Sequence, residues 1–175
     1  MIALILLAVL SSASENRSNA VAQAPAAPPV LISFSEEILA AHNRYRKAVG
    51  VPPLVWSEHL AHAALAWAKA LNANLQFAHD RGVHGQGENL WMGTDGAFTL
   101  TEMVDGWGQE KQYFRNGSFP DVSATGNWFD VGHYTQMVWR STTKVGCAGV
   151  SGADGNYRFV CRYSPPGNVM GEGVY

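Results

Sequence analysis

Two short β-rich runs, Val145–Val150 and Tyr157–Tyr163, stand near the C-terminus on either side of a Gly152–Asn156 turn, and they follow three segments with helical patterning. This order constrains the fold strongly, because a doubly wound parallel sheet needs strands and helices in strict alternation. The pattern predicts an α+β domain. In the first helical segment Ser33 and Glu36 have capping-box spacing, and Phe34, Ile38, Ala41/His42, Tyr45 and Val49 recur until Gly50 and Pro52-Pro53 stop the run. In the second, Ser57 precedes a stripe of Leu60, Ala63/Ala64, Trp67 and Leu71, whose alanines imply close approach to a neighbouring element. In the third, Thr99 and Glu102 form another capping box before Leu100, Met103/Val104, Trp107, Glu110 and Phe114, with Gly106 and Gly108 weakening the helix. Tyr134–Trp139 reads as a short helix or turn, and Glu88–Met92 as a further strand. Neither a Gly-x-Gly-x-x-Gly fingerprint nor a P-loop is present.

The N-terminus reads as an export leader. Met1–Leu10 is apolar throughout and runs into Ser11, Ser12 and Ala13, the order of a secretory h-region and its small-residue exit. Ten apolar residues fall short of the roughly 20 that cross a bilayer, so no transmembrane anchor is expected in the mature chain. We assign 1–24 as a signal peptide cleaved after Ala13 or Ala24, 25–33 as an Ala/Pro-rich linker and 34–175 as the folded domain. The chain is therefore expected to be extracellular.

With 12 Lys+Arg against 14 Asp+Glu and a net charge of −2, the sequence lacks the clustered basic charge that a nucleic-acid partner requires. Only 15% of residues are charged, so individual polar groups inside apolar segments stand out. Glu110 shares a stripe with Met103 and Trp107, and an unpartnered carboxylate there would cost several kcal/mol. Glu88 lies between Gly87 and Asn89-Leu90-Trp91, His133 lies in the nearly uncharged segment Gly132–Trp139, and His79 follows Phe77-Ala78. Two histidines and two glutamates suit zinc or another divalent metal, and equally suit a set of mutually hydrogen-bonded polar groups. His59 and His62 fall on the polar side of the second helix, His84 in a Gly-rich loop, and His42 at the edge of the first helical stripe. Cys147 and Cys161 sit in the two hairpin strands, where they can form a disulfide or remain two buried thiols. No Gly-x-Ser-x-Gly elbow or activated cysteine appears, which argues against a triad hydrolase.

Four strings resemble one family in order. Gly132–Trp139 (GHYTQMVW) and Val160–Asn168 (VCRYSPPGN) resemble the two signature motifs of the CAP superfamily, which comprises cysteine-rich secretory proteins, antigen 5 and plant pathogenesis-related class 1 proteins. His42–Arg46 with Pro52–Trp56, and Gly87–Leu90, resemble two further motifs of that family, so the likeness runs from about Phe34 to Gly171. The resemblance implies an α-β-α sandwich with a small antiparallel sheet between helical layers. It also implies a cavity tetrad of His79, Glu88, Glu110 and His133, with His84 as a rival for the first position and a divalent metal held by the two histidines. Relatives bind lipids near a loop equivalent to Tyr113–Phe129, which makes Phe119, Trp128 and Phe129 candidate contacts for a sterol or fatty acid. The sequence supports a non-enzymatic binding protein first. A metal-dependent, protease-like hydrolase using Glu88 or Glu110 as base, and a defence or cell-wall interaction module, are the alternatives. The chain carries only two cysteines and no cysteine-rich extension, so ion-channel modulation is not expected.

Overall fold

A computed structural model describes residues 32–175; the expected signal peptide, 1–24, and residues 25–31 of the expected linker, 25–33, lie outside the described residues. Helix α1, Phe34–Ala48, opens on the full capping box between Ser33 and Glu36 and buries Ile38, Ala41, His42 and Arg46. Helix α2, Glu58–Ala73, is capped by Ser57 and buries Leu60, Ala61, Ala64, Ala68 and Leu71. Its stripe is rotated from the expected one. Trp67 lies half-buried at the helix flank, where its Nε1–H donates to Ala78 O at 3.0 Å and anchors the following loop.

Helix α3 starts at the Thr99 capping box as expected but ends at Gly108, where the chain tightens into a 3-10 segment, Gln109–Tyr113. Two glycines weaken the helix here, and the Tyr45 ring of α1 occupies the space that a Cβ on Gly108 would need. A 3-10 turn at Trp128–Asp130 leads into α4, Gly132–Val138.

Four strands form the sheet: β1 (Val55–Trp56), β2 (Gly87–Thr94), β3 (Lys144–Ser151) and β4 (Asn156–Ser164), in the order β1-β3-β4-β2. The β3–β4 hairpin and the β2–β4 pair are antiparallel, whereas β1 adds a parallel edge through Val55↔Lys144 and Trp56↔Val145. That two-residue strand was not foreseen, since its pairing partner lies some 90 residues on and two residues carry no periodicity.

The sheet separates two apolar layers. On one face Ala64, Ala68 and Leu71 of α2 pack on Leu90 and Val160. On the other, α1, α3 and α4 pack on Phe159, Tyr163 and Val145. Gly146 explains the density of the first layer: a Cβ there would lie 2.3 Å from Ala61 N and 2.4 Å from Ser57 O, so only glycine lets the α2 backbone lie on the strand. Cys147 and Cys161 stand directly opposite each other, Cα atoms 4.1 Å apart, and are joined as a disulfide.

Candidate functional site

A cleft of about 280 Å³ opens where β2 begins and β4 ends. His79 and Glu88 form one side, His133 and Gln136 of α4 the other, with Trp128, Phe129 and the Pro166–Asn168 turn closing the ends.

His133 owes its position to both ends of α4. The residue preceding the helix, Val131, offers no side-chain cap, and Glu110 supplies it from the 3-10 segment instead. Its Oε2 accepts the backbone N–H groups of His133 and Tyr134, each at 3.0 Å, while Oε1 accepts the Nδ1–H of His133 at 2.6 Å. Orphan donors and the positive end of the helix dipole thus meet one carboxylate. At the other end the buried Arg46 donates to Met137 O and Trp139 O, both at 2.9 Å, and also to Pro52 O and Thr142 O. Burial lowers the Arg46 pKa to about 10, which leaves the guanidinium charged at neutral pH. The His133 ring stacks on Trp107 with centroids 6.0 Å apart, and Asn89 Nδ2 donates to its carbonyl oxygen at 3.1 Å.

His79 is held similarly. Its Nδ1 lies 2.7 Å from Glu88 Oε1, which also accepts the Asp80 N–H at 3.1 Å. The other Glu88 oxygen sits 2.9 Å from Arg162 Nη2, a buried guanidinium that also reaches Asp80 Oδ2 at 2.9 Å. An acceptor-only carboxylate on each Nδ1 assigns a proton to that nitrogen, so in the neutral form of either ring the free lone pair belongs to Nε2. Neither Nε2 makes a hydrogen bond among the described residues.

The four residues therefore form two His–Glu pairs rather than a four-ligand shell. Among the described residues, no group of three or more His, Cys, Asp or Glu side chains converges to hold a metal ion. What remains fits a cation modestly: two imidazole donors, each with a carboxylate behind it, as in the carboxylate–histidine–metal arrangement. His79, Glu88 and His133 line the cleft, and Glu110 stands behind His133.

The other candidates divide. Trp128 and Phe129 line the cleft, stacked at 4.0 Å, with Phe129 68% exposed. Phe119, expected to contact lipid at the loop surface, is instead buried against Trp128 and Trp139, because the loop folds back and the ring closes the core beneath it. His59, His62 and His84 are exposed. His42 lies fully inside the core rather than at its edge, bonded to Ile38 O and Tyr163 Oη, each at 2.8 Å.

Sequence reasoning missed Gln136, Asn168 and Arg162. Gln136 Oε1 accepts the Gly167 N–H at 2.9 Å, and Asn168 bonds Thr135 Oγ1 and Gly132 O, so both tie the Pro166–Asn168 turn to α4. Arg162 carried one signal: it is a cation inside an otherwise mostly apolar strand run.

Residues 39–163 match the cysteine-rich secretory protein (CAP) family. The chain belongs to the CAP family. Pathogenesis-related protein 1C of Nicotiana tabacum is 41% identical over 140 residues, 80% of each chain. Human Golgi-associated plant pathogenesis-related protein 1 is 38% identical over 145 residues, 81% of this CAP chain and 89% of that protein. Among solved folds, the crystal structure of NaASP2 with Zn2+ superposes with a TM-score of 0.70 at 24% identity, covering 86% of this chain and 90% of that one. BmVAL-1 gives 0.65 at 27% identity, over 81% of each. These CAP neighbours share the α-β-α sandwich described above.

Proposed function

We propose that this CAP protein is an exported, non-enzymatic binding protein whose cleft holds a divalent cation on His79 and His133 and takes a small ligand with an apolar body, such as a fatty acid or sterol. The observation that carries the reading is the pairing of both Nδ1 atoms with carboxylates at one cleft, which leaves Nε2 as the free ring nitrogen on each side. A cation bound there would offer open coordination positions to a ligand oxygen. Trp128 and Phe129 supply an apolar wall, and the cleft volume of about 280 Å³ accommodates the head of such a ligand while exposed Phe129 extends the apolar surface outward.

The hydrolase alternative fares less well on hydrogen bonding. Glu110 already accepts three N–H donors, and Glu88 accepts from His79 and Asp80 beside Arg162. Each carboxylate holds an imidazole Nδ1–H in place, and the Glu88 oxygen without a hydrogen bond is buried beside the Arg162 guanidinium, so neither is presented to a water in the cleft as a general base requires. A defence role is supported by the names of the pathogenesis-related relatives and is compatible with ligand capture.

Calorimetric titration of metal-stripped protein with zinc tests the proposal. His79→Ala and His133→Ala should each weaken binding at least tenfold, and Trp128→Ala should weaken labelled palmitate or cholesterol with zinc affinity unchanged. Zinc binding indifferent to both histidines would sink the cation reading, and no saturable lipid binding would remove the apolar ligand.

A further inference from the structure

Arg46, Arg158 and Arg162 are all buried, and the first two are explained by the groups around them. Every guanidinium nitrogen of Arg46 donates to a main-chain carbonyl. Those of Arg158 donate to Gln76 O, Asn72 Oδ1 and both carboxylate oxygens of Asp154. Arg162 is different. Its side chain is only 1% exposed, yet among the described residues its Nε and Nη1 have no hydrogen-bond partner and Nη2 alone is engaged. A buried ion pair that leaves donors idle returns little stability, so packing gives no reason for a guanidinium here.

What Nη2 engages is the support of one cleft histidine. It lies 2.9 Å from Asp80 Oδ2 and 2.9 Å from Glu88 Oε2. Arg162 and Glu88 are register partners across β4 and β2, so both side chains leave the sheet on the face that α2 covers. Strand β4 has a neighbour on each side, which makes its arginine a fixed point. From there the guanidinium reaches the edge strand and the loop that carries His79. Neither Arg162 nor Asp80 lines the cleft itself.

The two halves of the cleft are thus held differently. Glu110 is fixed behind His133 by two main-chain N–H groups of α4 and needs no cation. Glu88 accepts a single main-chain N–H, from Asp80, and Asp80 is itself a carboxylate drawn to the same Nη2. Without the guanidinium, two like charges at this short range repel each other. Asp80 adjoins His79 in the chain, so their separation takes the imidazole off Glu88 Oε1.

We propose that Arg162 is the positioning residue of His79: by clamping Asp80 and Glu88 together it holds the Nδ1–H on Glu88 and keeps Nε2 the free nitrogen, while His133 stands independently of it. The consequence for cation binding rests on the proposed function of the cleft; the hold on the imidazole does not.

The tautomer of each ring, read from long-range proton–nitrogen NMR spectra of metal-free protein at mildly alkaline pH, tests this. In Arg162→Gln, or in Arg162→Met should the first fail to fold, the His79 ring should revert to the Nε2–H form that a free imidazole side chain favours, with His133 unchanged. Arg162→Lys, which keeps a cation between the carboxylates, should retain Nδ1–H. Zinc Kd should rise about tenfold in Arg162→Gln, and by less than twofold when the same substitution is made in His79→Ala. Three results would overturn the proposal: an unchanged His79 tautomer in the folded variant, a change in both rings together, or an equal loss of zinc affinity in the two backgrounds. A wild type that binds no zinc while its His79 tautomer switches as expected would remove the cation reading and leave Arg162 in its role.

Discussion

One carboxylate of Glu110 serves both the ring and the backbone of His133: Oε1 takes the Nδ1–H at 2.6 Å and Oε2 takes the main-chain N–H at 3.0 Å. The orientation of a cleft imidazole and the capping of the helix that carries it are thereby one interaction. Arg46 completes the arrangement at the other end of α4, so a seven-residue helix is held by an anion at its N-terminus and a cation at its C-terminus.

Glu110→Gln should therefore act on stability and on binding together. A glutamine oxygen can accept from the imidazole or from the backbone, but its NH2 group opposes whichever donor is left. The expected loss is about 1–2 kcal/mol in urea unfolding at pH 7, with zinc affinity lowered roughly 10–100-fold. A variant that loses stability but keeps full zinc affinity would separate the two roles.

Arg46→Met removes four hydrogen bonds, three to the buried carbonyl oxygens of Met137, Trp139 and Thr142 and one to Pro52 O. The predicted cost is about 3 kcal/mol or more, because unsatisfied buried acceptors retain their desolvation penalty. Arg46→Lys should recover little of it, since a single ammonium cannot span four acceptors. Thermal unfolding of both variants measures this.

His42 makes stability depend on pH. Burial pushes its imidazole down to about 4, against the reference 6.5, outweighing the hydrogen bond to Ile38 O that favours the charged form. Between these values the unfolded chain binds a proton that the folded core refuses, so this contribution is complete above pH 6.5 and is lost as pH falls towards 4. The expected destabilisation is about 2 kcal/mol at pH 5 relative to pH 7.5. Urea midpoints of the wild type and His42→Gln at both pH values check it; equal pH dependence in the two proteins would refute the assignment.

Gly146→Ala places a methyl group against the backbone of Ala61 and Ser57 rather than against a movable side chain. Helix α2 must shift off β3, at a predicted cost of about 1–3 kcal/mol. A melting temperature unchanged by the substitution would show that the two elements are less tightly seated than the geometry requires.

Features encoded in neighbouring residues were legible from the sequence. Both capping boxes form as written, Ser57 caps α2, and the hairpin closes over the Gly152–Asn156 turn. The four residues of the candidate tetrad were also visible, as polar groups misplaced in apolar surroundings. Their division into His79–Glu88 and His133–Glu110 was not, because nothing in the local pattern tells a carboxylate whether it will ligate a cation or hold an imidazole.

The helix starts, the hairpin and the polar candidates His79, Glu88, Glu110 and His133 were legible in the sequence alone, since capping, periodicity and turn chemistry act over a few residues. Tertiary packing decided the rest. Tyr45 packs where α3 ends, the core claims Phe119 from a loop that reads as exposed, and Lys144–Val145 turns Val55-Trp56 into a strand. Each of these depends on contacts between segments far apart in the chain, whose distances exist only once the layers have closed on each other.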